Sequence, residues 1–182
     1  KGLIVNDTGG TIEVIADEGI VAAGVKGASS RPTAEYAGIP TGLGTGKRGF
    51  TLSWWGYADA VHTEQRVVSG YRDASTAYFG AGIIGNQVGF KNADAAGATL
   101  NAVYSSWAPV AGMHHFLLAV DLTTSTFLLY IDGVSQSVAS SPTWSNTDII
   151  WGTTKFAVGN VTSDGSSANG WYDDIAQVWF DD

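Results

Sequence analysis

Apolar and polar positions alternate with a period of two through much of the chain. Phe50, Leu52 and Trp54 alternate with Thr51, Ser53 and Trp55, and Phe116, Leu118 and Val120 alternate with His115, Leu117, Ala119 and Asp121. Phe127, Leu129 and Ile131 alternate with Leu128 and Tyr130, and Ile175, Val178 and Phe180 fall in a last apolar run. Short runs of this period, rich in aromatic and β-branched residues, read as strands. Gly, Asn, Asp and Ser punctuate them. Asp132-Gly133 closes one strand and opens its return, the strongest short hairpin signal in the chain. Gly9-Gly10 lies between Leu3–Val5 and Thr11–Ile15 and predicts an N-terminal hairpin. No segment carries a helical stripe: residues 92–100 are Ala-rich, but Gly97 interrupts them and their apolar positions do not recur at a helical period. Segments 38–49, 59–65 and 163–169 read as loops. Roughly twelve strand-like segments predict an all-β domain, an antiparallel two-sheet sandwich of jelly-roll type. We expect that one domain to span residues 1–182.

Composition narrows the classes. The chain has 182 residues with 24 Gly, 7 Trp and no Cys, and only 14% of it is charged. At this size a fold buries roughly 70% of its unfolded surface, so a self-sufficient core is feasible. The formal net charge of −8 opposes binding to nucleic-acid phosphates, which needs Lys and Arg clusters, and opposes an anionic membrane surface. No run of about 18 apolar residues predicts a membrane-inserted helix. The absence of Cys removes disulfides, thiolate catalysis and Cys-ligated metals.

Four segments resemble the concanavalin A-like lectin/glucanase superfamily, in particular its laminin-G-like and pentraxin-like branch. They are residues 49–55 (GFTLSWW), 113–121 (MHHFLLAVD), 127–134 (FLLYIDGV), and 156–160 (FAVGN) with 169–175 (NGWYDDI). The likeness covers about residues 35–182, and the first 34 residues have no clear counterpart. Two positions depart from the pattern: Met113 stands where that family carries a Trp, and Trp54 where it carries a small residue. The second departure predicts a core packed differently around Trp54. The resemblance implies a concanavalin A-like sandwich. It also implies a structural calcium ion held by an aspartate at the start of the last strand, Asp173 or Asp174, together with backbone groups near the chain start. Asp164 and Asp17 are secondary candidates, since calcium takes hard oxygen ligands.

Catalytic constellations are scarce. Glycoside hydrolysis needs two carboxylates about 5–9.5 Å apart. The chain has only four Glu (Glu13, Glu18, Glu35 and Glu64), and none sits in the E-x-D-x-x-E strand motif of the superfamily's hydrolases. Glu13 and Asp17 could share a strand face, but they read first as charges on the solvated outer face of an edge strand, where they deter edge-to-edge pairing. His114 and His115 are adjacent, so on a strand they point to opposite faces and cannot form a dyad or chelate one metal. His62-Thr63-Glu64 lacks the second His of a helical zinc site. There is no nucleophile elbow and no phosphate-binding loop.

Aromatic residues suit sugar binding, because flat rings stack on sugar faces while neighbouring polar groups bond hydroxyls. Trp107, Trp144 and Tyr104 are the candidate platforms, with Asn101 and Tyr71 as neighbouring contacts. The expected function is a non-catalytic glycan-binding or adhesion module, calcium-assisted, on a cell surface, a secreted protein or a phage or virion appendage. Its partners would be a glycan or polysaccharide and, in an appendage, other virion proteins. The alternatives are a structural assembly domain of such an appendage and, disfavoured by the scarce Glu, a polysaccharide-cleaving enzyme.

Overall fold

The computed structural model describes residues 2–7, 12–17, 34–37, 43, 46–61, 63–71, 77–152, 155–159 and 175–182. Thirteen strands are described: β1 (Gly2–Asp7), β2 (Ile12–Asp17), β3 (Ala34–Ala37), β4 (Gly49–Ala58), β5 (Glu64–Tyr71), β6 (Ala77–Ile84), β7 (Gln87–Ala93), β8 (Thr99–Tyr104), β9 (Gly112–Asp121), β10 (Thr126–Ile131), β11 (Val134–Gln136), β12 (Lys155–Val158) and β13 (Ile175–Asp181). Among the described residues there is no helix. A five-stranded sheet has the order β11-β10-β9-β4-β13, and a six-stranded sheet the order β3-β12-β5-β6-β7-β8. Every described pairing is antiparallel. The expected N-terminal hairpin forms, with β1 paired to β2 from Gly2↔Asp17 to Asp7↔Ile12.

The period-two pattern decides which side of each strand enters the core. From the five-stranded sheet, Leu52, Trp54, Phe116, Leu118 and Leu129 are fully buried. From the other sheet, Val68, Ala81, Ile83, Val88, Phe90 and Val103 meet them in one core cluster. Face-to-face packing of two apolar sheet faces is the stable way to hide both. Trp54 stacks on Phe116 with centroids 4.6 Å apart and planes 13° from parallel. The large residue at position 54 is thus filled into the core against a second ring. Phe50, Phe79 and Trp151 pack edge to face, at 5.2 Å for Phe50–Phe79 and 4.9 Å for Phe79–Trp151.

Two tight turns fix the register. Ile131 pairs with Val134 across Asp132-Gly133, whose φ angles are 51° and 77°. Ile84 pairs with Gln87 across Gly85-Asn86, whose φ angles are 60° and 64°. Both loops have two residues with φ > 0, the type I′ geometry whose twist matches that of the flanking strands. The segment expected as a loop over 59–65 ends earlier than its pattern suggested, since Glu64 already belongs to β5.

Candidate functional site

On the outer face of the six-stranded sheet, register places Arg66, Gly82, Gly89 and Tyr104 in one row across four strands. Gly80 and Lys91 form the next row. Three glycines in the middle of a sheet leave a floor without side chains. A Cβ on Gly89 would stand 2.7 Å from Tyr104 Cδ1, so the tyrosine ring lies over that glycine. A Cβ on Gly80 would stand 3.0 Å from Arg66 Cδ and 3.3 Å from its Nη1, so the guanidinium arm crosses that strand. Glu64 lies 3.5 Å from Arg66 Nη2 and accepts the backbone N–H of Gly85 at 3.1 Å, which ties it to the β6–β7 turn. Gln87 donates to the carbonyl of Ser105 at 3.0 Å. The result is a half-buried aromatic ring among Arg66, Glu64, Gln87 and exposed Lys91. Burial raises the Tyr104 hydroxyl pKa, the Glu64 carboxylate raises it further, and Arg66 opposes both. Tyr104 is therefore a neutral phenol at physiological pH, able to donate and accept.

The other sequence-predicted contacts do not join Tyr104. Tyr71 is 3% exposed and Asn101 is fully buried. Asn101 Oδ1 accepts the N–H of Ser145, and Ala102 and Thr143 exchange backbone bonds of 3.1 and 3.0 Å, so this residue holds the 143–145 segment against β8. Trp144 is half-buried against the core with its ring 6.4 Å from Phe90. Trp107 is also half-buried against the core, edge-on to His114 and Phe116 at 5.5 and 5.8 Å. The five residues are thus distributed over different parts of the sandwich. The metal candidates Asp164, Asp173 and Asp174 lie outside the described residues, as does the side chain of Asp17. Among the described residues no group of three or more His, Asp or Glu is placed to hold a metal ion.

The two adjacent tryptophans Trp54 and Trp55 go to opposite sides of β4. Trp55 is 40% exposed on the outer face of the five-stranded sheet, while Trp54 is buried. The distinguishing signal was in the pattern, because Trp54 shares its face with Phe50 and Leu52. His114 and His115 diverge as expected. His115 Nε2 lies 3.0 Å from Ser53 Oγ on the outer face. His114 Nδ1 lies 2.7 Å from Asp132 Oδ2, and its Nε2 lies 3.0 Å from the Val110 carbonyl. Ser53 and His115 are diagonal neighbours on paired strands, since the register sets Ser53 against Leu117 and His115 against Trp55, and backbone N–H groups there are spent on the sheet ladder. Acyl transfer needs N–H donors aimed at a developing oxyanion, and this setting supplies none from the strand.

No protein-family model matches the chain, and no curated protein matches it. Solved structures do resemble it. The K499G mutant of NanB sialidase from Streptococcus pneumoniae superposes with a TM-score of 0.58 at 13% identity, over 91% of this chain and 26% of that one. NanB with optactamide gives 0.57 at 15% identity, over 87% and 26%. A botulinum neurotoxin type C structure, described by the dependence of that toxin's cell entry on two ganglioside molecules, gives 0.53 at 10% identity, over 98% and 47%. The shared fold is an antiparallel two-sheet β-sandwich. The chain spans 26% of the sialidase chains and 47% of the neurotoxin chain. Among the described residues no helix is long and apolar enough to cross a membrane.

Proposed function

We propose that this chain is a non-catalytic glycan-binding module whose sugar platform is the Tyr104 patch on the six-stranded sheet. The observation that carries the reading is the Tyr104 ring laid over Gly89 with Arg66, Glu64, Gln87 and Lys91 around it. A half-exposed ring offers a stacking face for sugar C–H surface, and the charged and amide groups match hydroxyls or a carboxylate. The likeness to NanB sialidase and to a neurotoxin whose cell entry depends on gangliosides supports the same reading, because both proteins act on or bind glycans. A module of this kind works where glycans are displayed, on a cell, secreted or virion surface. A structural calcium ion near the last strand, held by Asp173 or Asp174 with Asp164 and Asp17 as further candidates, belongs to the same proposal. The test is a glycan array followed by titration calorimetry on the best hit. Tyr104→Ala is expected to weaken binding about tenfold, in line with the value of one aromatic stacking contact. Saturable wild-type binding that Tyr104→Ala leaves unchanged would remove this site.

A further inference from the structure

The core face of the six-stranded sheet carries two carboxamides at one end. Register sets Phe79, Asn92 and Asn101 side by side on β6, β7 and β8. Both asparagines therefore point into the sandwich with buried Phe79, and both are fully buried. The neighbouring row on the same face is Phe90 and Val103, also buried, so the surroundings are apolar. Asn101 Oδ1 accepts the Ser145 N–H, which orients that carboxamide and turns its Nδ2 the other way. Asn101 Nδ2 has no protein acceptor, and neither Nδ2 nor Oδ1 of Asn92 has a protein partner. The two carboxamides do not bond each other, although directly opposed residues of a sheet hold their Cβ atoms only about 4.5–5.5 Å apart. Segment 143–149 closes this end of the sandwich. Thr143 pairs with Ala102, the Trp144 ring lies 6.4 Å from Phe90, and Asp148 and Ile149 are tied to Arg48 and Lys47.

A buried amide without a partner forfeits its bonds to water and gains none in return, so native interiors pair such groups with protein or with ordered water. We propose that Asn92 and Asn101 form a binding site for internal water, which bridges β7 to β8 and fastens segment 143–149 to both strands. The donor and acceptor pattern fits. Water accepts an N–H from Asn101 Nδ2 and donates to Asn92 Oδ1, and Asn92 Nδ2 supplies a further donor, within the two to four polar partners that a buried water takes. Ions fit less well. A cation would face the amide N–H groups, and any unpaired charge beside Phe79 and Phe90 would cost far more than a neutral guest. The role is mechanical. Asn101 holds Ser145 directly, water carries that support on to Asn92, and Asn92 becomes a positioning residue for the segment that bears Trp144. This site is independent of the Tyr104 patch, which lies on the outer face of the same sheet.

The experiment starts with the wild-type chain. A high-resolution crystal structure should show an ordered water within hydrogen-bond distance of both carboxamides. Rotating-frame NMR spectra should show cross-peaks from long-lived water to the side-chain amides of Asn92 and Asn101. Two variants then read the site through stability. Asn92→Thr and Asn92→Val share one shape and differ by a hydroxyl. With water at hand the hydroxyl is bonded, so by urea denaturation Asn92→Val should have the larger unfolding constant, by about fivefold. Asn92→Val should also speed hydrogen exchange at the Ser145 amide by more than global unfolding accounts for. Carboxamides bonded to each other in the crystal, with no water cross-peak to either, overturn the site. Asn92→Val as stable as Asn92→Thr, or more so, shows a dry interior and overturns it as well. An anomalous signal between the carboxamides in crystals soaked in bromide overturns water in favour of an anion.

Discussion

Gly89 shows how much a missing side chain can do. A Cβ there would stand 2.2 Å from the Val103 carbonyl oxygen and 2.7 Å from the Tyr104 ring. The carbonyl is backbone in a paired strand and cannot move aside. At Gly80 the nearest atom is Arg66 Cδ at 3.0 Å, part of a flexible arm. The two substitutions therefore separate. Gly89→Ala should cost about 1–3 kcal/mol by urea denaturation and shift the Tyr104 ring, while Gly80→Ala should cost less than half as much. Equal costs would mean that the sheet yields where the structure shows it fixed. Nothing near Gly89 in the sequence announces this. Its constraint comes from the Val103 carbonyl and Tyr104, which are distant in sequence but brought beside it by β8. The separation of Trp54 from Trp55, by contrast, was legible, because alternate residues of a strand leave on opposite faces.

At the scale of elements, the β10–β11 hairpin ties its turn to β9. Asp132 Oδ1 accepts the N–H of His115 at 2.9 Å, and Oδ2 lies 2.7 Å from His114 Nδ1. The bond to His114 is the largest cause of a lowered Asp132 pKa, opposed by partial burial and aided by the His115 N–H. A carboxyl whose folded pKa lies below its unfolded value, ~3.9, stabilises the fold above that value. Its contribution is lost as pH falls through the lower folded pKa. Melting temperature should therefore drop as pH falls below about 4, with a part of that drop that Asp132→Asn removes. The variant should also be less stable at neutral pH. An identical acid limb in both proteins would show that this carboxylate contributes nothing to it. The Asp-Gly turn was readable from its two residues, since few others accept φ > 0 in succession. Gly85-Asn86 forms the same turn from a weaker local signal.

For the whole molecule, the sandwich separates two outer faces of unlike chemistry. One carries Arg66, Glu64, Lys91 and Tyr104, the other exposed Trp55, Leu128 and Tyr130. The proposed calcium ion is tested at this scale, because a ligand bound by the folded state alone raises its stability by mass action. Protein dialysed against EGTA should melt lower than protein in millimolar calcium, and Asp173→Asn/Asp174→Asn should abolish the difference. Equal melting temperatures would remove the ion from the proposal.

The sequence by itself determined what is local. Period-two alternation assigned core and outer positions, as at Leu118 and Val120 against Leu117 and Ala119, and the Asp-Gly pair placed a hairpin. The acidic net charge and the scarcity of Glu steered away from nucleic acid and paired-carboxylate hydrolysis. Only the tertiary structure decided which strands become neighbours, since β4 pairs with β9 and β13, and β12 with β3 and β5. Those pairings depend on closing long stretches of chain, which no local pattern encodes. They also decide the sites. Tyr71 and Asn101 look like surface contacts in the sequence and are buried in the fold. Arg66, Gly89 and Tyr104 are unremarkable singly and become a patch only when β5, β6, β7 and β8 lie side by side.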